Sequence, residues 1–270
     1  MLKPRKSLGQ NFLIDQNITK KIVDTFNPLV GDIVLEIGPG TGALTELLLK
    51  NEIFLYAVEL DNRALELLTE KYPKFKYPNF HLINSDILKI ELDRIIPNIS
   101  NENQIKVIGN IPYNISSDIF FWLFHQKQLI SKAQLMIQKE VGQRLTAKPS
   151  TKAYGILTIA MELAGSCKQI FDVPPNCFYP VPKVTSSIIE MTFDSNYTIQ
   201  EFTRVLTIVK SAFNQRRKTL RNSLSNYLSS YGERKDYIIE TLESNMPGLF
   251  SKRPEQLTTS DFVQIFRICS

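Results

Sequence analysis

Apolar residues in the first two-thirds of the chain come in short runs bounded by glycine, proline, asparagine and aspartate. Residues 32–37 (DIVLEI) form such a run and end in Gly-Pro-Gly-Thr-Gly, after which residues 43–50 (ALTELLLK) carry helical spacing. IFLYAVEL at 53–60 predicts a strand and NRALELLTEKY at 62–72 a helix. FHLINSD (80–86), IKVIGN (105–110) and AQLMIQKE (133–140) predict further strands, with an amphipathic helix, SSDIFFWLFHQ (116–126), between the last two. TSSIIEMTF (185–193) reads as a final strand, in an edge hairpin. This alternation predicts an α/β domain with a mostly parallel sheet covered on both faces.

The period changes after Asp194. FTRVLTIVKSAF (202–213), LRNSLSNYL (220–228) and KDYIIETLE (235–243) space their apolar residues by three and four, punctuated by Gly232 and Pro247-Gly248. The expectation is a Rossmann-like domain over 1–194 and a small all-helical domain over 198–270, joined near 194–198.

At 270 residues, 43% of them hydrophobic, the chain can bury a sizeable core. Its net charge is +5, and the excess is uneven: 21 Lys+Arg against 20 Asp+Glu in residues 1–194, but 11 against 7 in 195–270. A polyanionic partner for the C-terminal part fits that asymmetry. Three cysteines (Cys167, Cys177, Cys269) and two histidines (His81, His125) lack metal-ligand spacing, so no metal is expected. Sparse, odd-numbered cysteines fit a reducing compartment. MLKPRK is followed by no apolar run of signal-peptide length, and no window is long enough for a membrane span. A cytoplasmic protein with no membrane partner is therefore expected.

Glu36-Ile37-Gly38-Pro39-Gly40-Thr41-Gly42 ends a strand and opens a helix. Gly38 and Gly40 let backbone approach a ligand, and the helix start offers free amides. With Ala43 the loop also satisfies a relaxed G-x-G-x-x-A, so it points to a nucleoside-containing cofactor without choosing one. Glu59 ends the second strand, where a carboxylate can accept ribose hydroxyls. Asp86 follows the third, placed to accept from an adenine amino group. An acid after strand two suits NAD as well as S-adenosylmethionine; two acids at successive strand ends mark one functional edge of the sheet.

Asn110-Ile111-Pro112-Tyr113 follows the fourth strand and resembles the Asn/Asp-Pro-Pro-Tyr signature of amino-group methyltransferases, in the form that implies an adenine amine as the methyl acceptor. An exocyclic adenine amine is a poor nucleophile because its lone pair is delocalised into the ring. The Asn110 side-chain oxygen and the Ile111 or Pro112 carbonyl can accept both amine hydrogens and favour a pyramidal nitrogen. The Tyr113 ring can stack on the base, and Pro112 pre-sets a rigid loop.

This tetrapeptide resembles the Asn-Ile/Leu-Pro-Tyr signature of the bacterial small-subunit (16S) rRNA adenine dimethyltransferases, and the resemblance runs over nearly the whole chain. Gln10-Asn11-Phe12-Leu13 is similar to the family's QNFL motif, which implies that Asn11 and Leu13 help close over S-adenosylmethionine. The resemblance carries Gly38 into the cofactor role, Glu59 to the ribose, Asp86 to the adenine ring and Asn110 to the methyl-transfer end. Phe178-Tyr179-Pro180-Val181-Pro182-Lys183-Val184 resembles F-x-P-x-P-x-V and implies that Phe178 stacks on the opposite face of the target adenine. Residues 213–222 (FNQRRKTLRN) resemble the family's basic stretch at the domain junction, where Arg216, Arg217, Lys218 and Arg221 make a cationic cluster suited to phosphates. The implied activity is dimethylation of two adjacent adenosines near the 3′ end of 16S rRNA in an immature 30S subunit; the sequence leaves the oligomeric state open, a monomer being favoured. Two rivals stand beside it. A nicotinamide dehydrogenase is permitted by the glycine loop but leaves Asn110–Tyr113 and the basic C-terminal part unexplained. A non-enzymatic RNA-binding assembly factor leaves an intact Asn110 and Tyr113 unexplained.

Overall fold

The computed structural model describes residues 2–100, 102–193 and 197–270. In chain order the elements to residue 193 are β1 (Phe12–Leu13), α1 (Gln16–Phe26), β2 (Ile33–Ile37), α2 (Ala43–Leu48), β3 (Phe54–Glu59), α3 (Asn62–Lys71), β4 (Phe80–Asn84), α4 (Leu92–Ile95), β5 (Ile105–Asn110), α5 (Ser116–His125), β6 (Ile130–Gln138), α6 (Lys139–Leu145), α7 (Ile156–Ala164), β7 (Ser166–Val173), β8 (Phe178–Tyr179) and β9 (Ser186–Thr192). There follow α8 (Ile199–Phe213), α9 (Leu220–Ser223), α10 (Ser225–Ser229), α11 (Lys235–Asn245) and α12 (Thr259–Cys269).

Seven strands form one sheet in the order β4-β3-β2-β5-β6-β9-β7. The five through β6 are parallel, and β9 runs antiparallel to both β6 and β7. The near-continuous apolar runs of β2 and β3 have the composition of strands buried on both faces. Strand order reverses at β2, with β3 and β4 on one side and β5 and β6 on the other, so a crevice opens at the carboxyl ends of β2 and β5. An apolar cluster joins α1 (Ile22, Val23, Phe26), α2 (Leu44, Leu48) and α3 (Leu68) to Val34, Leu55 and Ile108 of the strands. It anchors the elements whose ends form that crevice.

The expected edge hairpin is present: β9 pairs antiparallel with the edge strand β7 and lies between it and β6. The sequence pattern did not reveal β7 itself. The burial pattern of β7 is mostly exposed and intermediate, so it lacks the apolar run that marks its neighbours. One expectation needs correction, that of domain membership. The chain divides into Met1–Gly142 with Ser166–Phe193, and Gln143–Gly165 with Asp194–Ser270. Residues 143–165 thus group with the C-terminal helices instead of the first domain. The Tyr154 hydroxyl donates to the Leu257 carbonyl at 2.8 Å, the Tyr154 and Phe213 rings lie 6.4 Å apart, and Phe213 packs against Phe262. The expected join at 194–198 falls partly on residues 194–196, outside the described ones. Among the described residues no helix is long and apolar enough to cross a membrane, and no group of three or more His, Cys, Asp or Glu could hold a metal ion.

Candidate active site

The carboxyl ends of β2, β3 and β5, with the turn after β4 and the segment before α1, enclose a cavity of about 280 Å³. Asn11, Leu13, Gly38, Gly40, Glu59, Asp86, Asn110, Pro112 and Tyr113 all line it. They come from five segments spread over about a hundred residues, and those from Gly38 onward meet because each parallel strand delivers its carboxyl-terminal loop to the same edge.

The glycine loop is held by a carboxylate. Glu59 accepts from the Gly40 amide on Oε2 at 3.0 Å, and from the Leu60 and Asp61 amides on Oε1 at 2.8 Å each. A carboxylate offers about four acceptor sites, so one direction on Oε2 stays free toward the cavity. Gly38 adopts φ +67°, and a Cβ built there would meet only the Asn110 backbone oxygen, at 3.9 Å. Its Cα face is therefore open for close approach. Asp86 caps the short turn Ile87–Lys89 by accepting from the Leu88 amide on Oδ1 at 3.1 Å. No described residue occupies its other oxygen.

The chain's first residues close one side. The Asn110 side-chain amide donates to the Asn11 carbonyl at 2.8 Å, which leaves the Asn110 carbonyl oxygen as the free end of that side chain. The Gln10 amide donates to Asp61 Oδ2 at 3.0 Å, and Arg63 Nη1 donates to the Lys3 carbonyl at 3.1 Å. Asp61 is buried, and the Arg63 guanidinium beside it is the main reason its carboxyl titrates down at about 2. Tyr113 opens a short turn, Tyr113–Ile115, with its hydroxyl 2.6 Å from Ser186 Oγ. Burial raises the pKa of that hydroxyl.

Sequence reasoning passed over Glu36. It lines the cavity, is 1% exposed, and accepts from the Thr45 hydroxyl at 2.7 Å. Burial, followed by a smaller contribution from the nearby Glu59 charge, pushes its carboxyl up to about 7. A charged residue inside an otherwise apolar strand was the available signal. Asp61 had none, because only the fold brings Gln10 and Arg63 to it.

Two predicted groups do not stand as expected. Phe178 is 1% exposed, in the apolar cluster with Leu13 and Cys177, and does not line the cavity. Antiparallel pairing of β8 with β1 sets Leu13 opposite Phe178 and Phe12 opposite Tyr179, and strand alternation turns Tyr179 outward instead. Tyr179 is 51% exposed; Phe178 offers no open face to a base. Arg216, Arg217 and Lys218 lie in the turn between α8 and α9, and Arg221 on α9. Arg216 is committed: Nε pairs with Glu255 at 2.7 Å, and Nη1 and Nη2 donate to the Lys152 and Thr151 carbonyls at 3.0 Å each. Arg217 and Lys218 are exposed and have no ion pair among the described residues, and the exposed Arg221 lies 5.8 Å from the Phe250 ring.

A family model described as "Ribosomal RNA adenine dimethylase" matches residues 1–262. The Ribosomal RNA small subunit methyltransferase A of Parabacteroides distasonis is 40% identical over 266 residues, which is 98% of this chain and 93% of the relative. Among solved structures, a dimethyladenosine transferase from Plasmodium falciparum superposes with a TM-score of 0.77 at 26% identity, over 94% of this chain and 95% of that one. The 23S rRNA methyltransferase ErmE, with a TM-score of 0.66 at 24% identity over 96% and 99% of the two chains, shares the fold.

Proposed function

The chain belongs to the ribosomal RNA adenine dimethylase family, and within it we propose an enzyme of the small ribosomal subunit that dimethylates the N6 amines of two adjacent adenosines near the 3′ end of 16S rRNA. One observation carries the reading. The Asn110–Tyr113 loop opens onto the same cavity as the glycine loop, Glu59 and Asp86.

The residues present fit S-adenosylmethionine. Gly38 leaves an open cradle, and Glu59 and Asp86 each keep a carboxylate oxygen able to accept from a ligand. When bound, this cofactor supplies a methyl group on a positively charged sulfur. Glu59 would take ribose hydroxyls, Asp86 the adenine amino group, and Asn11 and Leu13 would cover the site. The Asn110 carbonyl oxygen accepts one hydrogen of the target amine and a backbone carbonyl of Ile111 or Pro112 the other. Both bonds strengthen as the nitrogen turns pyramidal and gains positive charge, so they favour the transition state over the bound base. The Tyr113 ring stacks on the extruded adenine and fixes its approach. No strong general base is required, because the methylated amine is acidic enough to lose its proton to water.

Phosphate contacts are assigned to the C-terminal unit, through the exposed Arg217, Lys218 and Arg221. The substrate is the immature 30S subunit, the protein acts as a cytoplasmic monomer, and each target receives two methyl groups. The 40% identity to a small-subunit relative supports that substrate over large-subunit RNA. The test is tritiated methyl transfer to 30S particles that lack the modification, followed by nuclease digestion. Labelled N6,N6-dimethyladenosine in two adjacent positions is the expected product. Labelled large-subunit RNA only, or thermal stabilisation by NAD and not by S-adenosylmethionine, would sink the reading.

A further inference from the structure

The catalytic loop is braced by a strand far from it in sequence. Tyr113 and Ser186 are 73 residues apart, yet their hydroxyls lie 2.6 Å apart. Ser186 is fully buried at the start of β9, and Tyr113 is its one side-chain partner among the described residues. The other end of Tyr113 is held as well: the Ser116 hydroxyl donates to its carbonyl at 3.1 Å. The ring therefore spans two fixed points.

The second point is fixed because the start of β9 is pinned on both flanks. Ser186 sits opposite Gln138 of β6 and Val173 of β7, and the Lys139 amide donates to the Thr185 carbonyl at 3.0 Å. Ser187 takes the alternate direction of the strand, and its hydroxyl donates to Asp172 Oδ1 at 2.6 Å. Asp172 in turn receives Gln169 Nε2 at 2.7 Å and pairs with Lys139 at 2.6 Å. Ser187 thus locks the strand while Ser186, just before it, reaches the catalytic loop.

We propose that Ser186 is a positioning residue for base capture: through the Tyr113 hydroxyl it sets the plane of the ring on which the target adenine stacks. The proposal rests on the reading of Tyr113 as the base-facing ring. A half-buried tyrosine whose hydroxyl lost its partner would gain other side-chain orientations, and only a fraction of molecules would present the productive face. That population cost falls on methyl transfer and not on the cofactor side of the cavity.

The test is single-turnover methyl transfer to small subunits lacking the modification, with S186A, Y113F and the double variant, beside calorimetric cofactor binding. Each single change should slow the reaction by about 3–10-fold, the range of one net hydrogen bond. The double variant should be no slower than either single one, because both remove the same bond. Cofactor affinity should stay at wild type. A 3-fluorotyrosine placed at 113 should give one sharp 19F resonance in the wild type and a broadened or split one in S186A. Should S186A fold poorly, Y113F removes the bond from the other side with β9 intact, and its rate carries the same expectation. A wild-type rate in either single variant, or losses that multiply in the double, overturns the positioning role. Y113A separates the two levels. If it too methylates at the wild-type rate, the base-facing reading falls and the proposal with it; if Y113A is slow while S186A and Y113F are unaffected, only the proposal fails.

Discussion

At the residue scale the site works through side chains whose second atom is already engaged. Asn110 donates with its amide to Asn11, so its carbonyl oxygen is oriented before any base arrives. Asn110→Ala should keep cofactor affinity within a few-fold and lower the methyl-transfer rate by about 100-fold or more, the usual effect of removing a group aimed at developing charge. Asn110→Asp should be no better, because a carboxylate would face the Asn11 carbonyl that the amide now satisfies. Near-normal single-turnover rates in the alanine variant would remove Asn110 from the reaction. Glu36 gives a pH signature. Its pKa of about 7 means that the free protein holds it largely protonated below neutrality. A cationic cofactor in the cavity it lines favours its ionised form, so binding releases a proton. Affinity for S-adenosylmethionine should rise roughly tenfold between pH 6 and pH 8, and Glu36→Gln should flatten that dependence. Calorimetry in two buffers of different ionisation enthalpy checks it; no proton release at pH 7 in the wild type would refute the assignment.

Elements decide which of several similar residues is available. Four cations within six residues look equivalent along the chain, but the turn after α8 separates them. Arg216 staples Glu255 and the 151–152 backbone, while Arg217 and Lys218 are exposed, with no ion pair among the described residues. Arg217→Ala with Lys218→Ala should therefore weaken small-subunit binding and flatten the slope of log affinity against log salt by up to about 2, with the melting temperature unchanged. Arg216→Ala should instead lower the melting temperature, because it strands a half-buried Glu255 and two carbonyls. Equal thermal effects from both variants would contradict this division. The strand pair β1–β8 acts the same way on aromatics. Its register buries Phe178 and exposes Tyr179, which reverses the exposure that the motif alone suggests.

On the scale of the whole molecule, two buried carboxyls respond oppositely to pH. The folded-state pKa of Asp61 is lowered from 3.8 to about 2, so its contribution is full above pH 4 and is lost as pH falls toward 2. That contribution is about 2 kcal/mol. The pKa of Glu36 is raised from 4.5 to about 7, so it favours the folded form at low pH, an advantage lost as pH rises through that window. Urea unfolding should show Asp61→Asn weaker than wild type at pH 6 and closer to it at pH 3, while Glu36→Gln should gain on wild type between pH 5 and pH 8. A pH-independent difference in either case would show that the charge is not responsible. Much of this protein was legible in one dimension. Period-two and period-3.6 apolar patterns are local consequences of which residues a strand or helix must bury, and they marked β2, β3, β4, β5, β9, α2, α3, α5 and α11 with bounds within two residues of those observed, β5 residue for residue. The glycine loop, the two strand-end acids and Asn110–Tyr113 were legible for the same reason: parallel strands send their carboxyl ends to one edge, so residues at those ends converge without knowledge of distances. What only the tertiary structure decided were pairings between remote segments. Neither the insertion of β9 between β6 and β7, nor the contact of Ser186 with Tyr113, nor the capture of Gln10 by Asp61 leaves a periodic trace. Each depends on one hydrogen bond or one strand register, and such contacts form only after the apolar core has brought distant backbone together.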